Sequence, residues 1–294
     1  MTSWKGLILA GGTGSRLAPL SRVVNKHLLP VFDKPMIYYP LTTLMLADVR
    51  EITIVTTPSA VWQFESLLGD GAQWGLKLKY RIQERPNGIA DGLRIAADDL
   101  RGFNVALILG DNIFFGAGLQ TLLETSVAEN TGATVFGYEV ANPSAFGVVT
   151  LDANARPIAI EEKPTHHLSR TAVTGLYLYA ADILDVAGGI SPSARGEFEI
   201  SDVNRAYLQQ GRLRVRNLGR GFAWLDGGTP ADLYEAGQFV KVIQERTGLR
   251  VACPEEIAYR RAFINRAAFA ELIASTPKSD YRDYLTRILE DTSL

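Results

Sequence analysis

The sequence predicts an α/β fold built around a doubly wound, mostly parallel sheet. Short and nearly continuous apolar runs occupy residues 5–10, 52–56 and 105–109, which is typical of strands covered on both faces. Helical stretches lie between them, around residues 36–47 and 92–100, so strand and helix alternate. Because such sheets bind ligands at the carboxyl ends of their strands, the segments directly after the first and third runs are candidate site segments.

The first predicted strand runs directly into a glycine-rich turn. The turn reads Gly11-Gly12-Thr13-Gly14-Ser15-Arg16, and Lys26 follows ten residues after the arginine. Glycines let a backbone adopt positive φ and bring its N–H groups close to an anion. The pattern therefore predicts a nucleotide-phosphate loop with two cations in reach, and the alternative is an ordinary tight turn after a strand.

Two standard phosphate-binding patterns do not fit this loop. The dinucleotide fingerprint needs Gly or Ala three residues after Gly14, where the chain has Leu17. A Walker A loop needs Gly-Lys followed by Ser or Thr, and that sequence does not occur in the chain. What remains is a loop that carries its own arginine, suited to the charge of a leaving pyrophosphate.

The second half of the chain has a different pattern. Strand-like pieces at residues 133–140, 147–151, 158–161 and 174–179 are interrupted by turn signals and are expected to supply a second wall of the site. Thr229-Pro230-Ala231-Asp232 is a helix start, with Thr as cap and Pro in the first turn. We therefore predict a core over residues 1–229, divided near residue 132, and a helical extension over residues 230–294.

Composition limits the class of protein. The chain has 294 residues, a formal net charge of −2, three histidines (His27, His166 and His167) and one cysteine, Cys253. An intramolecular disulfide is excluded, a zinc site has almost no ligands, and no basic excess favours nucleic acid. Neither a signal peptide nor a membrane-spanning stretch is present, so a cytoplasmic protein is expected, with no membrane partner. The expected partner is a small anion, and any metal should be a hard cation held by carboxylates.

Two aspartates are candidate ligands for such a cation. Asp111 follows the third apolar run directly, and Asp226 follows an aromatic and apolar run that ends in glycines. An acidic residue in that place can hold a divalent cation over a nucleotide phosphate, and the alternative is a turn or a helix cap. The charged turn Glu161-Glu162-Lys163-Pro164 would, on its own, be interpreted as a solvated surface turn.

The motifs taken in order closely resemble the glucose-1-phosphate thymidylyltransferases of the sugar-1-phosphate nucleotidyltransferase family. The resemblance runs over nearly the whole chain. Besides the glycine-rich loop and Lys26-x-Leu-Leu-Pro30, the motifs that carry it are Asp33-Lys-Pro-Met-Ile-Tyr-Tyr-Pro40, Leu68-Gly-Asp-Gly71, Leu109-Gly-Asp-Asn112, Phe146-Gly-Val-Val149, Glu161-Glu-Lys-Pro164, Val173-Thr-Gly-Leu-Tyr177, Arg195-Gly-Glu197, Asp202-Val-Asn204, Trp224-Leu-Asp226 and Pro254-Glu-Glu256.

The resemblance implies a Rossmann-like nucleotidyltransferase fold and the joining of dTTP and α-D-glucose 1-phosphate into dTDP-glucose and pyrophosphate, with Mg²⁺. It assigns catalysis to Arg16, Lys26, Lys163, Asp111 and Asp226, and the metal to the two aspartates. The implied nucleotide-binding residues, on residues 1–132, are Leu9, Gly11, Gly12, Thr13, Gly14, Ser15, Arg16, Lys26, Gln83, Pro86, Gly88 and Asp111. The implied sugar-phosphate-binding residues are Leu109, Phe146, Gly147, Glu162, Lys163 and Val173, on or beside residues 133–229.

The chain departs from the commonest pattern of this family at a few positions. His27 stands where glutamine is usual, Gly88-Ile-Ala-Asp-Gly92 replaces Gly-Leu-Ala-Gln-Ala, and Gly227 replaces threonine. No cation or metal ligand is lost, but the nucleotide side of the pocket is altered. The alternatives are the same chemistry with UTP or another sugar 1-phosphate, or a catalytically silent paralogue that binds nucleotide sugars. His27 is expected to pack or hydrogen-bond rather than to act as an acid or base.

The resemblance also implies a homotetramer with a regulatory nucleotide site between subunits, inhibited by dTDP-rhamnose. Phe115-Gly116 and residues 254–260 fall where that site would be. The alternative for these residues is helix capping and core packing. The helical extension over residues 230–294 would supply the oligomer and regulatory contacts.

Overall fold

The computed structural model describes residues 3–166 and 168–291, so His167 lies outside the described residues. In chain order, the strands are β1 (Trp4–Ala10), β2 (Pro30–Val31), β3 (Lys34–Pro35), β4 (Glu51–Thr56), β5 (Lys77–Ile82), β6 (Asn104–Leu109), β7 (Asn112–Gly116), β8 (Ala133–Glu139), β9 (Gly147–Leu151), β10 (Pro157–Glu162), β11 (Thr171–Tyr179), β12 (Leu213–Asn217) and β13 (Phe222–Asp226).

The helices begin after β3 and become more frequent towards the end of the chain. They are α1 (Tyr38–Leu46), α2 (Val61–Leu68), α3 (Ile89–Ile95), α4 (Ala97–Leu100), α5 (Leu119–Glu129), α6 (Ile183–Gly188), α7 (Ile200–Gln209), α8 (Pro230–Thr247), α9 (Pro254–Arg260), α10 (Arg266–Ser275) and α11 (Asp280–Glu290). Within the described ranges, every helix is too short or too polar to cross a membrane.

Nine strands within residues 3–166 and 168–291 form one sheet. Its order is β10-β9-β11-β6-β1-β4-β5, with β8 joined through β11 and β12 joined through β8. β1 is parallel to β4 and β6, β4 is parallel to β5, and β11 runs antiparallel to β6. The predicted α/β architecture with a mostly parallel central sheet is confirmed. The β-rich second half extends this same sheet instead of forming a separate one.

Helices cover both faces of the sheet, because successive side chains of its central strands point to opposite sides. Leu7 and Leu107 pack on one face against α3, α6 and α7. Ile8 and Ile108 belong to the apolar cluster on the other face, which also holds side chains of α1, α2, α5 and the helices from α9 to α11. The apolar runs that were predicted to be central strands are therefore buried on both sides, as their composition indicated.

Some elements differ from the expectation. The helix expected at residues 92–100 begins earlier, at Ile89, and is interrupted at Ala96, so it forms the two helices α3 and α4. Strand β5 was missed, because its sequence alternates charged and apolar residues at the end of the sheet and lacks a continuous apolar run.

The helix start at residue 229 is confirmed. The Thr229 hydroxyl accepts a hydrogen bond from the backbone N–H of Asp232 at 3.2 Å, and Pro230 is the first residue of α8. This is the geometry of an N-cap, which satisfies one of the unpaired donors at a helix start. Helices continue through the rest of the described chain. The division into a core and an extension remains a prediction. Side chains of α9 to α11 share one apolar cluster with side chains of α1 and α2.

Candidate active site

A cleft of about 280 Å³ opens at the carboxyl ends of the central parallel strands. Most of the predicted nucleotide and sugar-phosphate residues line it: Leu9, Gly11, Gly12, Lys26, Gln83, Pro86, Gly88, Leu109, Asp111, Glu162 and Lys163. The structure thus brings together segments separated by more than a hundred residues. The predicted residues outside the lining of this cleft are Thr13, Gly14, Ser15, Arg16, Phe146, Gly147, Val173 and Asp226.

The glycine-rich loop needs glycine at identifiable positions. Gly12 and Gly14 have φ of 89° and 59°, in the left-handed region that favours glycine. A Cβ built on Gly11 would lie 2.8 Å from Gln83 Oε1, so this glycine permits a close approach across the cleft. Ser21 Oγ donates to the Gly14 carbonyl oxygen at 2.7 Å and holds the far side of the turn. The loop has the backbone conformation and proximity that a phosphate cradle requires.

Lys26 and Asp111 form an ion pair inside the cleft. Lys26 Nζ lies 2.5 Å from Asp111 Oδ2, and the two side chains are 16% and 15% exposed. Burial by itself would raise the pKa of Asp111, but its charged neighbours, Lys26 first among them, and hydrogen bonds from Lys26 and Asn112 together outweigh burial and lower that pKa to about 2. Asp111 is therefore a carboxylate at neutral pH, and it lies beside the cation that would face nucleotide phosphates.

Asp226 reaches the same region from the opposite end of the chain. Strand β13 pairs with β7 so that Asp226 is opposite Asn112, and the Gly227 N–H donates to the Asp111 carbonyl oxygen at 3.1 Å. Burial, and then the negative charge of Asp111, raise the pKa of Asp226. The two aspartates predicted as metal ligands are thus close enough to repel each other electrostatically.

Arg16 is exposed and lies near Asp226. A Cβ built on Gly228 would be 3.3 Å from Arg16 Nη2 and 3.4 Å from Asp226 Oδ1. The guanidinium therefore lies beside the second aspartate, outside the lining of the main cleft. Asp226 and Phe146 line an adjoining cavity of about 180 Å³ with Trp224.

The donor set of the site fits a hard divalent cation. In the described part of the chain, no three His, Cys, Asp or Glu side chains are arranged to hold a metal ion. Mg²⁺ in nucleotide sites is typically bound by one or two carboxylates, with substrate phosphates and water completing its shell. A divalent cation would also relieve the repulsion that raises the pKa of Asp226. Asp111 and Asp226 are thus suited to Mg²⁺ that arrives with a nucleotide.

Asn112 is a site residue that the sequence reasoning did not single out. Its Nδ2 donates to Asp111 Oδ1 at 2.9 Å. Its Oδ1 accepts from the Gly175 N–H at 3.0 Å and from Trp224 Nε1 at 2.6 Å. One buried amide thereby orients Asp111 and ties β11 to β13, the strand that ends in Asp226. Its position directly after Asp111 was the available signal.

The second wall of the cleft comes from the end of β10. Glu162 is opposite Gly147 in the β9–β10 pair, and Ser201 Oγ donates to Glu162 Oε2 at 2.6 Å. Lys163 follows with a φ of 44°, an uncommon value for a residue with a side chain. Its N–H donates to the Phe146 carbonyl oxygen at 3.0 Å. Local backbone strain of this kind is concentrated at functional sites, where surrounding contacts maintain it.

Charged residues from the segment before α7 also line this wall. They are Arg195, Glu197 and Glu199. The first two lie in the Arg195-Gly-Glu197 motif, and Glu199 was not predicted from the sequence. Arg195 Nη2 lies 2.8 Å from Glu199 Oε1 and 3.9 Å from Glu162 Oε1. Arg195 therefore adds a further cation to the side of the cleft that holds Lys163.

His27 is buried and is one of the residues that line the cleft. Its Nδ1–H donates to Asn25 Oδ1 at 2.8 Å, and a Cβ built on Gly110 would lie 2.7 Å from the His27 ring. Burial, and next the charge of Lys26, lower the pKa of His27 to about 3. The imidazole is therefore neutral at ordinary pH and acts as a packing and hydrogen-bonding residue.

Comparison with known proteins identifies the family. The family model described as nucleotidyl transferase matches residues 5–242, which include every residue predicted for the catalytic, nucleotide, sugar-phosphate and metal sites. The chain belongs to this nucleotidyl transferase family. The match over residues 5–242 covers the glycine-rich loop, both aspartates and the Lys163 turn.

Relatives of this nucleotidyltransferase match it over nearly its full length. Glucose-1-phosphate thymidylyltransferases from Xanthomonas campestris pv. campestris and Neisseria meningitidis are 50% and 49% identical over 288 and 286 residues. The first alignment covers 98% of each chain, and the second covers 97% of this chain and 99% of the relative. The thymidylyltransferase of Mycobacterium tuberculosis is 48% identical over 286 residues, with 97% and 99% covered. The resemblance inferred from the motifs is confirmed.

Solved structures agree with this assignment. One solved structure is a chain from Bacillus anthracis that is provisionally described as a glucose-1-phosphate thymidylyltransferase in complex with sucrose. It aligns with a TM-score of 0.74 and 39% identity, and the alignment covers 81% of the present chain and 95% of the Bacillus anthracis chain. A UDP-glucose pyrophosphorylase complexed with UDP-glucose aligns with a TM-score of 0.72 and 21% identity, over 83% and 100%. The second likeness supports the fold alone.

Proposed function

We propose that this chain joins dTTP and α-D-glucose 1-phosphate into dTDP-glucose and releases pyrophosphate. The observation that carries the proposal is one cleft in which the glycine-rich loop, the Lys26–Asp111 pair and Lys163 meet. The cleft has a nucleotide side and a sugar side, each with its own cation. The names of the relatives that match over almost the whole chain support this choice of substrates.

The chemistry needs alignment and charge neutralisation more than proton transfer. The sugar phosphate is already anionic at neutral pH, so its oxygen can attack the α-phosphorus of the nucleotide without a general base. One P–O bond forms, the bond from the α-phosphorus to the pyrophosphate oxygen breaks, and pyrophosphate leaves with the bonding electrons. A neutral, buried His27 agrees with a reaction that asks for neither acid nor base.

The cations have separate tasks in this proposal. Lys26 binds the nucleotide phosphates from within the cleft, and Arg16, beside Asp226, stabilises the departing pyrophosphate. Lys163, on the opposite wall, neutralises the incoming sugar phosphate, and Glu162 accepts hydrogen bonds from sugar hydroxyls. Asp111 and Asp226 would hold Mg²⁺, which when bound neutralises charge on the triphosphate.

A panel of nucleotides tests the proposed function. The purified protein with Mg²⁺ and glucose 1-phosphate is given dTTP, UTP, CTP, ATP or GTP in turn, and pyrophosphate release is followed. We expect strong release with dTTP and weaker release with UTP, since the two bases share the edge that faces Gln83. Release with none of the five, while other sugar 1-phosphates also give none, would favour the silent paralogue.

We also propose a homotetramer with a second nucleotide site. A cavity of about 310 Å³, distinct from the cleft, lies among α1, β7, the start of α5 and the α8–α9 connection. Phe115 and Gly116, which the resemblance implicated, line it together with Gln120 and Arg250. An aromatic group, a glycine and a cation suit a nucleotide sugar.

We propose that the protein acts in the cytoplasm, because its proposed substrates are soluble metabolites.

Filling this cavity is expected to weaken inhibition by dTDP-rhamnose. Gln120 lies at the start of α5, is exposed and lines the cavity, so Gln120→Trp should fill it without disturbing the cleft. We expect inhibition of pyrophosphate release by dTDP-rhamnose in the parent chain and at least about tenfold weaker inhibition in the variant, with the uninhibited rate retained. The matched control is Gln210→Trp, at the end of α7. Equal inhibition of parent and Gln120→Trp would contradict the second site.

A further inference from the structure

Asp91 contacts the side chain that faces the nucleotide base in the proposed function. Gln83 lines the cleft, Asp91 does not, and Gln83 Nε2 donates to Asp91 Oδ2 at 3.0 Å. We propose that Asp91 is a positioning residue, which fixes the Gln83 amide with its oxygen towards the base and so selects thymine or uracil over cytosine. The inference rests on the proposed function and adds the base class to it.

The environment of the amide permits one orientation. Nε2 of Gln83 faces two oxygens, Asp91 Oδ2 at 3.0 Å and the Gly88 carbonyl oxygen at 3.5 Å. Carbonyl and carboxylate oxygens accept hydrogen bonds and cannot donate them. A flipped amide would place Oε1 against both acceptors and lose both contacts. The donor end of Gln83 is therefore directed at Asp91 and the Gly88 carbonyl oxygen.

The acceptor end of the amide is directed to the glycine-rich loop. A Cβ built on Gly11 would lie 2.8 Å from Gln83 Oε1, so the oxygen is over a residue that itself lines the cleft. The backbone of Gln83 is held by its N–H, which donates to the Thr56 carbonyl oxygen at 2.8 Å. Both ends of the residue are fixed, and the cleft receives an acceptor with no accompanying donor.

An acceptor in this position distinguishes bases by their central edge atom. Thymine and uracil carry an N3–H donor, whereas N3 of cytosine is an acceptor with a lone pair. Two acceptors face to face leave both unpaired, which is costly in a partly buried site. Glutamine, the residue that the resemblance leads one to expect at position 91, can present either a donor or an acceptor. Asp91 presents an acceptor only, so the orientation of Gln83 is fixed in this chain.

Removal of the Asp91 carboxylate tests this inference. The measured quantity is the ratio of kcat/KM for dTTP to kcat/KM for dCTP, with glucose 1-phosphate saturating. In Asp91→Ala, which frees the amide, we expect this ratio to fall about tenfold, the size of one charge-assisted hydrogen bond. The change should lie in KM for the nucleotide, with kcat for dTTP within about twofold of the parent. Asp98→Ala, an exposed carboxylate on the next helix, is the matched control and should leave the ratio unchanged.

A second variant and a second readout keep the two proposals separable. Asp91→Asn keeps the shape but can present either atom, so its ratio should fall between parent and Asp91→Ala; this variant decides if the alanine variant does not fold. Calorimetric binding of dTTP and dCTP to the same proteins reports selectivity without turnover. An unchanged ratio in both variants, with dTDP-glucose still formed, overturns the role of Asp91 and leaves the proposed function standing. If the parent protein binds dTTP but forms no dTDP-glucose, the proposed function is overturned. The ratio of the binding affinities for dTTP and dCTP then decides the role of Asp91.

Discussion

Asp111→Asn is expected to lower the rate of pyrophosphate release by about a hundredfold to a thousandfold, the range seen when a charge-stabilising group is lost from an active site. The substitution preserves shape but removes the charge that faces Lys26 at 2.5 Å and that would hold Mg²⁺. The measurement is kcat with dTTP and glucose 1-phosphate at saturating Mg²⁺, together with the thermal midpoint of unfolding. The control is Asp98→Asn, an exposed aspartate that should keep the parent rate.

The unpaired ammonium of Lys26 could itself destabilise the single variant, because a buried charge without its partner is costly. The double variant Lys26→Gln, Asp111→Asn removes both charges and separates the two effects. We expect it to unfold close to the parent temperature and still to be inactive. Turnover at the parent rate in Asp111→Asn would contradict the assignment of this residue to the catalytic machinery.

Loss of the Lys163 ammonium is expected to have the second large effect. Lys163→Ala and Lys163→Gly should each lower kcat/KM for glucose 1-phosphate by about a hundredfold or more, since a phosphate-neutralising cation is removed from one wall of the cleft. The rate with a fixed, saturating dTTP concentration measures this effect. Lys278→Ala removes an exposed lysine near the end of the chain and should change nothing.

The backbone of Lys163 makes the same pair of variants informative about stability. With φ at 44°, glycine should be more stable than alanine at this position by about 1 kcal/mol, because a Cβ is disfavoured in the left-handed region. Free energies of unfolding from urea titrations check this order. Equal or reversed stability of the two variants would mean that the turn does not hold this conformation in solution, and equal activity of parent and variants would remove Lys163 from the reaction.

Local pattern was sufficient for the elements with strong, simple signals. Continuous apolar runs at residues 5–10, 52–56 and 105–109 correspond to β1, β4 and β6, and the cap at Thr229 was correct to the residue. Strand β5 was missed because its alternating charges resemble a solvated segment, and the break at Ala96 has no local signal. Such features depend on which neighbours cover an element, and those neighbours lie far away along the chain.

The candidate site divides in the same way. The glycine-rich loop and Asp111 were predictable, because each follows a strand at the edge where ligands bind, and Lys26 was predictable because it comes soon after the loop along the chain. The contacts of Asn112 with Gly175 and Trp224 were not readable, since they join three strands over more than a hundred residues. The approach of Gln83 Nε2 to Asp91 likewise depends on how the end of β5 packs against α3.

The sequence by itself determined the α/β class, the family and the identity of the charged residues, because these follow from residue types in order along the chain. Only the tertiary structure decided the electrostatics: the ion pair of Lys26 with Asp111, the raised pKa of Asp226, the neutral state of His27 and the orientation of Gln83. The physical reason is that pKa values and hydrogen-bond direction depend on distance and burial in three dimensions, and neither quantity is a property of a linear pattern.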